Sequence, residues 1–133
     1  MLELSNLYKT FNAGTINEVN ALQDVSLSIE EGSFVCVLGT NGSGKSTLLN
    51  AVAGTFITDS GKILLKGSDI TKWPEHKRAR LIGRVFQNPF SGTAPGMSIA
   101  ENLALAAKRG KKRGIGWGLP SAVVAELKHR VKD

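Results

Sequence analysis

A single cysteine, Cys36, is present in this 133-residue chain, so no internal disulfide can form and the composition fits a reducing compartment. Long apolar stretches are also missing. The longest unbroken runs, such as Phe34 to Leu38 and Leu103 to Ala107, are five residues, against the roughly 18 that a membrane-spanning helix needs. The opening MLELSNLYK has no basic segment followed by an apolar one, so no secretion signal is expected. There is no internal repeat and no low-complexity linker. His76 and His129 have no partners at metal-ligand spacing, so neither is assigned a metal. What is present is globular in kind: 41% hydrophobic residues, 15 glycines and 21% charged residues exclude a disordered chain. The length allows at most one domain, burying about 65% of its unfolded surface.

The net charge of +6 is unevenly spread. Residues 1–70 hold four Lys/Arg against seven Asp/Glu, whereas residues 71–133 hold thirteen against four. A basic half can face phosphates, acidic lipid head groups or an acidic protein, and it can equally be a solvated face. The densest stretch, Lys108-Arg109-Gly110-Lys111-Lys112-Arg113, leaves three readings open in this order: a solvated tract, a contact with a membrane subunit or anionic membrane surface, and nucleic acid.

Apolar residues alternate at Leu2 and Leu4 and again at Ala21, Val25, Leu27 and Ile29, which predicts two antiparallel strands joined by the polar loop Asn12 to Asn20. After the turn at Glu30-Glu31-Gly32, the run Phe34 to Leu38 has no polar alternation and predicts a strand covered on both faces, with Cys36 a small core residue inside it. From Lys45 the spacing becomes helical, with Leu48, Leu49, Val52 and Ala53 on one stripe and Gly54 as the stop. Lys62 to Leu65 predicts a strand entering a turn at Lys66 to Asp69, and Pro74 opens a short helix over Glu75 to Leu81. Val85-Phe86 ends a further apolar strand. Ser98 and Glu101 form a capping box before a helix that stops at Gly110, residues 110–120 form a glycine-rich loop, and a last helix follows Pro120.

Gly39-Thr40-Asn41-Gly42-Ser43-Gly44-Lys45-Ser46 fits G-x-x-x-x-G-K-[ST] between an expected strand and an expected helix. Glycines let such a loop curl with its N–H groups inward and let phosphate oxygens reach the main chain. The helix that follows adds free N–H groups and the positive end of its dipole. Lys45 is then expected to reach the β and γ phosphates, and the Ser46 hydroxyl to ligate Mg²⁺. The alternative is a chance match, which arises in roughly 2% of chains of this length and composition. GTPases that carry this motif are not expected, since neither Asn-Lys-x-Asp nor Asp-x-x-Gly occurs.

With those residues in place, the chain resembles the ATP-binding subunit of ABC (ATP-binding cassette) transporters. The opening LELSNLYKTF, the segment ALQDVSLSIEEGSFVCVLGTNGSGKSTLLNAVAG, the strand and turn SGKILLKGSDIT, and VFQNP carry the resemblance in order and spacing. It implies an α/β fold: a P-loop NTPase core with an antiparallel β part at residues 1–31, the P-loop core at 32–87 and the start of a helical subdomain at 88–133. It also implies ATP and Mg²⁺ as ligands, held by Gly39, Asn41, Gly42, Ser43, Gly44, Lys45 and Ser46, with Thr47 on the α phosphate. By the same resemblance Phe11 stacks on adenine, Tyr8 being the less favoured candidate and ordinary core packing of Phe11 the competing reading. Gln87 resembles the Q-loop glutamine that contacts Mg²⁺ and the attacking water; a plain turn at Gln87-Asn88-Pro89 is the competing reading. Lys45 and Gln87 are thus the expected catalytic residues, and Ser46 and Gln87 the expected metal ligands.

The stretch NPFSGTAPGMSIAENLALAAKRGKKRG looks most like ATPase components of amino-acid-type importers, in which the region after Gln87 faces the membrane subunits. The implied partners are transmembrane permease subunits and a second ATPase subunit, and the implied location is cytoplasmic, on the inner face of the membrane. The resemblance covers about half of the family's domain. No LSGGQ-like signature, no apolar run followed by Asp-Glu and no later switch histidine is found. This chain alone is therefore expected to bind ATP without hydrolysing it, to expose sheet edges and apolar surface, and to be marginally stable. Two other readings remain open at this stage: an ABC-type protein acting on nucleic acid or ribosomes, and a non-catalytic nucleotide-binding module.

Overall fold

The first 29 residues form the expected hairpin. β1 (Leu2–Phe11) and β2 (Val19–Ile29) pair antiparallel, with Leu2 opposite Ile29, Leu4 opposite Leu27 and Phe11 opposite Val19. On the other side of β1 lies β3 (Ser60–Leu65), and β4 (Ser68–Asp69) folds back on β3 through Lys66-Gly67. The sheet order is β2-β1-β3-β4, antiparallel throughout. This computed structural model describes residues 1–108 and Ala125. They divide into two units, Met1–Arg78 and the residues from Ala79 onward.

The hairpin departs from simple alternation at one place. Leu4 and Leu7 are three apart and both buried, although in a regular strand they would face opposite sides of the sheet. The ladder shifts register between them, and Asn6 (φ 47°) and Asp24 (φ 51°) both take the left-handed conformation. Short polar side chains tolerate that conformation best. Here the Asn6 Nδ2 group donates to Asp24 Oδ1 at 2.6 Å, and the Asn6 N–H donates to Ser26 Oγ at 2.9 Å. β3 crosses this bulge with Gly61 (φ 94°), where a Cβ would run into the carbonyl oxygens of Asn6 and, at 2.6 Å, Ser5.

Leu4, Leu7, Leu22 and Ile63 from the sheet, with Ile70, Ala51 and Ala53, make the core of the first unit. α1 (Lys45–Ala53) ends as expected at Gly54, whose left-handed backbone (φ 85°) returns its N–H to the Ala51 and Asn50 carbonyls. Its inward residues are Ala51 and Ala53, while Leu49 is exposed. The small inward side chains accommodate Arg78, which closes α2 (Glu75–Arg78) and is only 1% exposed. Arg78 Nη1 donates to the Ala51 and Val52 carbonyls at 2.6 and 2.9 Å, Nη2 to Thr71 O at 2.9 Å, and Nε to Trp73 O at 2.8 Å. A cation on the last carbonyls of α1 also sits at the negative end of its dipole. Burial pulls this guanidinium below its ordinary pKa. α2 is three residues shorter than the sequence pattern predicts; residues 79–81 continue it only as a turn.

Three expectations are corrected. Phe34 to Leu38 forms no strand among the described residues, and Phe34 and Leu38 are 96% and 86% exposed. An all-apolar strand exists only through ladders on its edges and cover on its faces, and the four-stranded sheet offers this run neither. Cys36 lies in the same segment and is exposed rather than a core residue. Val85-Phe86 likewise forms no strand among the described residues: Val85 is exposed, and the Arg84 guanidinium stands 4.5 Å from the Phe86 ring centroid.

In the second unit a 3₁₀ turn, Pro89–Gly92, is capped by Asn88, whose Oδ1 accepts from the Phe90 N–H at 3.0 Å. α3 (Ile99–Ala107) opens on the expected capping box, Ser98 and Glu101 each bonding the other's backbone N–H. Asn102 fixes the preceding loop by accepting from the Ala94 N–H at 2.8 Å and donating to the Ala94 and Met97 carbonyls at 3.1 and 3.2 Å. α3 ends at Ala107, before Gly110. The helix after Pro120, Trp117 and all of the basic tract except Lys108 lie outside the described residues.

Besides Glu31, held down by the Lys66 ammonium, three carboxylates lie below their ordinary pKa. The Lys9 ammonium and the Thr10 N–H bond Asp59, the Thr71 hydroxyl and N–H bond Asp69, and the Ser98 hydroxyl and N–H bond Glu101. A depressed carboxylate stabilises the fold fully above its unfolded value and loses that contribution as pH falls through the folded one. With ordinary values of 3.8 for the aspartates and 4.5 for the glutamate, the melting temperature is expected to hold between about pH 7 and 5 and to decline below about pH 4. Thermal melts followed by circular dichroism check this, and a melting temperature that rises on acidification would contradict it.

Candidate phosphate-binding site

The glycine loop closes against the sheet by backbone. Gly44, the N-cap of α1, has φ 84°, and a Cβ there would stand 2.6 Å from the carbonyl oxygen of Ala21 on β2. Only glycine meets both demands. The first bond within α1 runs from the Leu48 N–H to Gly44 O at 2.8 Å, so the amides of Lys45, Ser46 and Thr47 have no partner inside the helix. Lys45 folds back over the loop, its Nζ donating to Gly39 O at 2.8 Å, Thr40 O at 2.6 Å and Ser43 Oγ at 3.3 Å. Among the described residues no carboxylate pairs with it. A cation ringed by neutral carbonyls beside amides unused within the helix is able to receive an anion.

The predicted residues fall into three places. Gly39, Ser43, Gly44 and Lys45 come together as described, Asn41 and Gly42 are exposed on the loop, and Ser46 (exposed) and Thr47 (half-buried) stand in the first turn of α1. A cavity of about 360 Å³ opens beside Lys45 and Gly44, with Asn20, Leu22, Val37 and Leu48 in its wall. Asn20 Oδ1 accepts from the Thr10 hydroxyl at 2.8 Å, and Phe11 is the next residue along β1. Phe11 therefore stands one ladder position from the cavity wall. Gln87 belongs to the second unit and is exposed.

Sequence reasoning missed the neighbours of Phe11. Its ring meets Phe56 edge-to-face, with centroids 5.2 Å apart and planes at 85°. Lys9 Nζ lies 5.5 Å from the Phe11 centroid and 5.6 Å from that of Phe56, and is held at 2.7 Å by Asp59 Oδ1. Phe56 follows the Gly54 stop in a stretch with no periodicity, so nothing in the pattern marked it. No group of three or more His, Cys, Asp or Glu side chains comes together among the described residues. The donors available to a hard cation near the loop are a hydroxyl such as Ser46 and the oxygens of a bound phosphate, a set that suits Mg²⁺, which takes few protein ligands. The second unit carries an apolar cleft of about 500 Å³ lined by Phe90, Thr93, Pro95, Met97 and Leu103.

A glycine loop closed on a strand, a lysine over it and a hydroxyl in the next helical turn define a P-loop nucleotide-binding protein. The ABC transporter family matches residues 22–132, and the chain belongs to that family. The tyrosine transport ATP-binding protein of Clostridioides difficile (strain R20291) is 45% identical over 112 residues, which are 84% of this chain and 44% of that protein. A probable branched-chain amino acid transport ATP-binding protein, LivG of Archaeoglobus fulgidus, is 40% identical over 107 residues, 80% of this chain and 39% of that protein. Among solved structures, the dimeric post-hydrolysis state of the ATP-binding cassette MJ0796 bound to ADP and Pi superposes with a TM-score of 0.72 at 28% identity, covering 99% of this chain and 56% of that one. The chain spans less than half the length of these two curated relatives. The P-loop NTPase fold and the ABC ATP-binding subunit expected from the sequence are both upheld.

Proposed function

We propose that this chain supplies the phosphate-binding part of the ATP-binding component of an ABC transporter, which couples Mg-ATP binding and hydrolysis to transport. The observation that carries this reading is the Lys45 ammonium over Gly39 and Thr40, beside first-turn amides that α1 leaves unused. On nucleotide binding, Lys45 exchanges loop carbonyls for β and γ phosphate oxygens, and Thr47 bonds the α phosphate. Ser46 would hold Mg²⁺, which when bound neutralises phosphate charge, and Gln87 is read as the Q-loop glutamine. Phe11 receives the adenine. The tyrosine and branched-chain amino acid relatives support an amino-acid-type substrate. The dimeric cassette supports pairing with a second ATPase subunit. No described helix is long and apolar enough to cross a membrane, and the component is read as peripheral, on the cytoplasmic face of membrane permease subunits. The apolar cleft around Phe90 and Met97 follows Gln87, where the resemblance puts the contact with those subunits. Residues 32–87 and 88–133 are read as the P-loop core and the start of a helical subdomain.

Isothermal titration of Mg-ATP into the 133-residue chain tests the central claim. The expected result is one saturable site, competed by pyrophosphate and weakened by chelation of Mg²⁺, with phosphate release no faster than in buffer. A cooperatively melting chain that binds neither ATP nor pyrophosphate at millimolar concentration would refute it.

A further inference from the structure

The aromatic pair at the end of β1 lies outside the fully buried core of the first unit. Phe11 and Phe56 are both half-buried, Phe56 comes from the segment after α1, and Asp59 on that segment accepts from Lys9 Nζ and the Thr10 N–H, each at 2.7 Å. The segment 56–59 is thus tied to the end of β1 by an ion pair, by the Thr10 N–H on the Asp59 carboxylate, by the Asp59 N–H on the Tyr8 carbonyl at 2.9 Å, and by a ring edge against a ring face. The Lys9 ammonium links the ion pair to the rings, standing at nearly equal distance from both centroids. Its side chain is only 16% exposed, which favours the attraction between a cation and ring π-systems. A ring held this way does not have to be ordered when a ligand arrives, and ordering a free side chain is a recognised cost of binding.

We propose that Phe56 is a positioning residue for the nucleotide base: it fixes the Phe11 ring beside the cavity, with the Lys9 and Asp59 ion pair holding both rings in place. The inference rests on the reading of Phe11 as the adenine platform. It concerns the base alone, because Lys45 and the α1 amides hold phosphate independently of these rings.

The test compares the affinity of the chain for ATP with its affinity for inorganic tripolyphosphate, measured by titration of both ligands in the presence of Mg²⁺. The ratio of the two reports the contribution of the nucleoside and does not move with general destabilisation or with damage to the phosphate loop. Phe56→Ala is expected to lower that ratio by about 3- to 10-fold, with tripolyphosphate affinity unchanged and Phe56→Tyr restoring the ratio. Phe11→Ala lowers it at least as far, and the double variant is no lower than Phe11→Ala alone, because Phe56 acts through Phe11. Phe56→Leu, which keeps apolar volume but lacks the aromatic edge, gives the same reading should the alanine variant unfold. A ratio unchanged in Phe56→Leu or Phe56→Ala but lowered in Phe11→Ala overturns this inference and leaves the platform standing. A ratio unchanged in Phe11→Ala removes the platform and the inference with it.

Discussion

Lys45→Ala weakens Mg-ATP binding by at least about 100-fold while leaving the melting temperature of the chain nearly unchanged. A hydrogen bond to a charged group contributes about 1.5–3 kcal/mol, so losing two contacts to phosphate oxygens amounts to about 3–6 kcal/mol, or about two to four decades in affinity. The bonds lost from the unliganded fold are of a different kind. They run to the carbonyls of Gly39 and Thr40 on an exposed loop, where water takes the place of the ammonium. Titration of the variant beside a thermal melt separates the two effects. Undiminished affinity would remove Lys45 from the site, and a lost cooperative melt would make it a structural residue.

Arg78→Ala acts in the opposite sense, costing about 3–5 kcal/mol of stability through mechanisms known to give large effects. The substitution removes the guanidinium donors from the carbonyls of Ala51, Val52, Thr71 and Trp73 and opens a cavity where a fully buried side chain stood. Total stabilities are about 5–15 kcal/mol, so much of this unit's margin is at stake. Lysine is no substitute, because one ammonium does not reproduce the planar fork that reaches the end of α1 and the 71–73 segment at once. Urea denaturation is the measurement. A midpoint that stays at the wild-type value would show that water or a neighbour satisfies those carbonyls.

What the sequence made legible was local. The glycine loop, the helix from Lys45, its stop at Gly54, the hairpin and the Ser98 capping box each follow from a few adjacent residues, and each stands in the structure. The illegible parts depend on distant partners. Phe34 to Leu38 reads as a buried strand because its composition assumes neighbours, yet strand formation depends on a ladder that the described sheet does not extend to it. Arg78 reads as a polar residue on a short helix, and its burial follows from carbonyls as far as 27 positions away. Phe56 reads as a stray aromatic, since its partner lies in β1. For the candidate site, the motif marked the glycine loop and Lys45 over it, whereas the surroundings of Phe11 came only from the fold.

The contact between Gly44 and Ala21 carries a lesson about mutational tolerance. On the β2 side it is made by a carbonyl oxygen, which every amino acid presents alike; on the loop side it requires the absence of a Cβ. Sequence drift at position 21 can change the lining of the cavity and leave the seat of the loop as it is. At position 44 even a methyl group pushes the loop off the strand, so one partner in this contact is free to vary because the other is not.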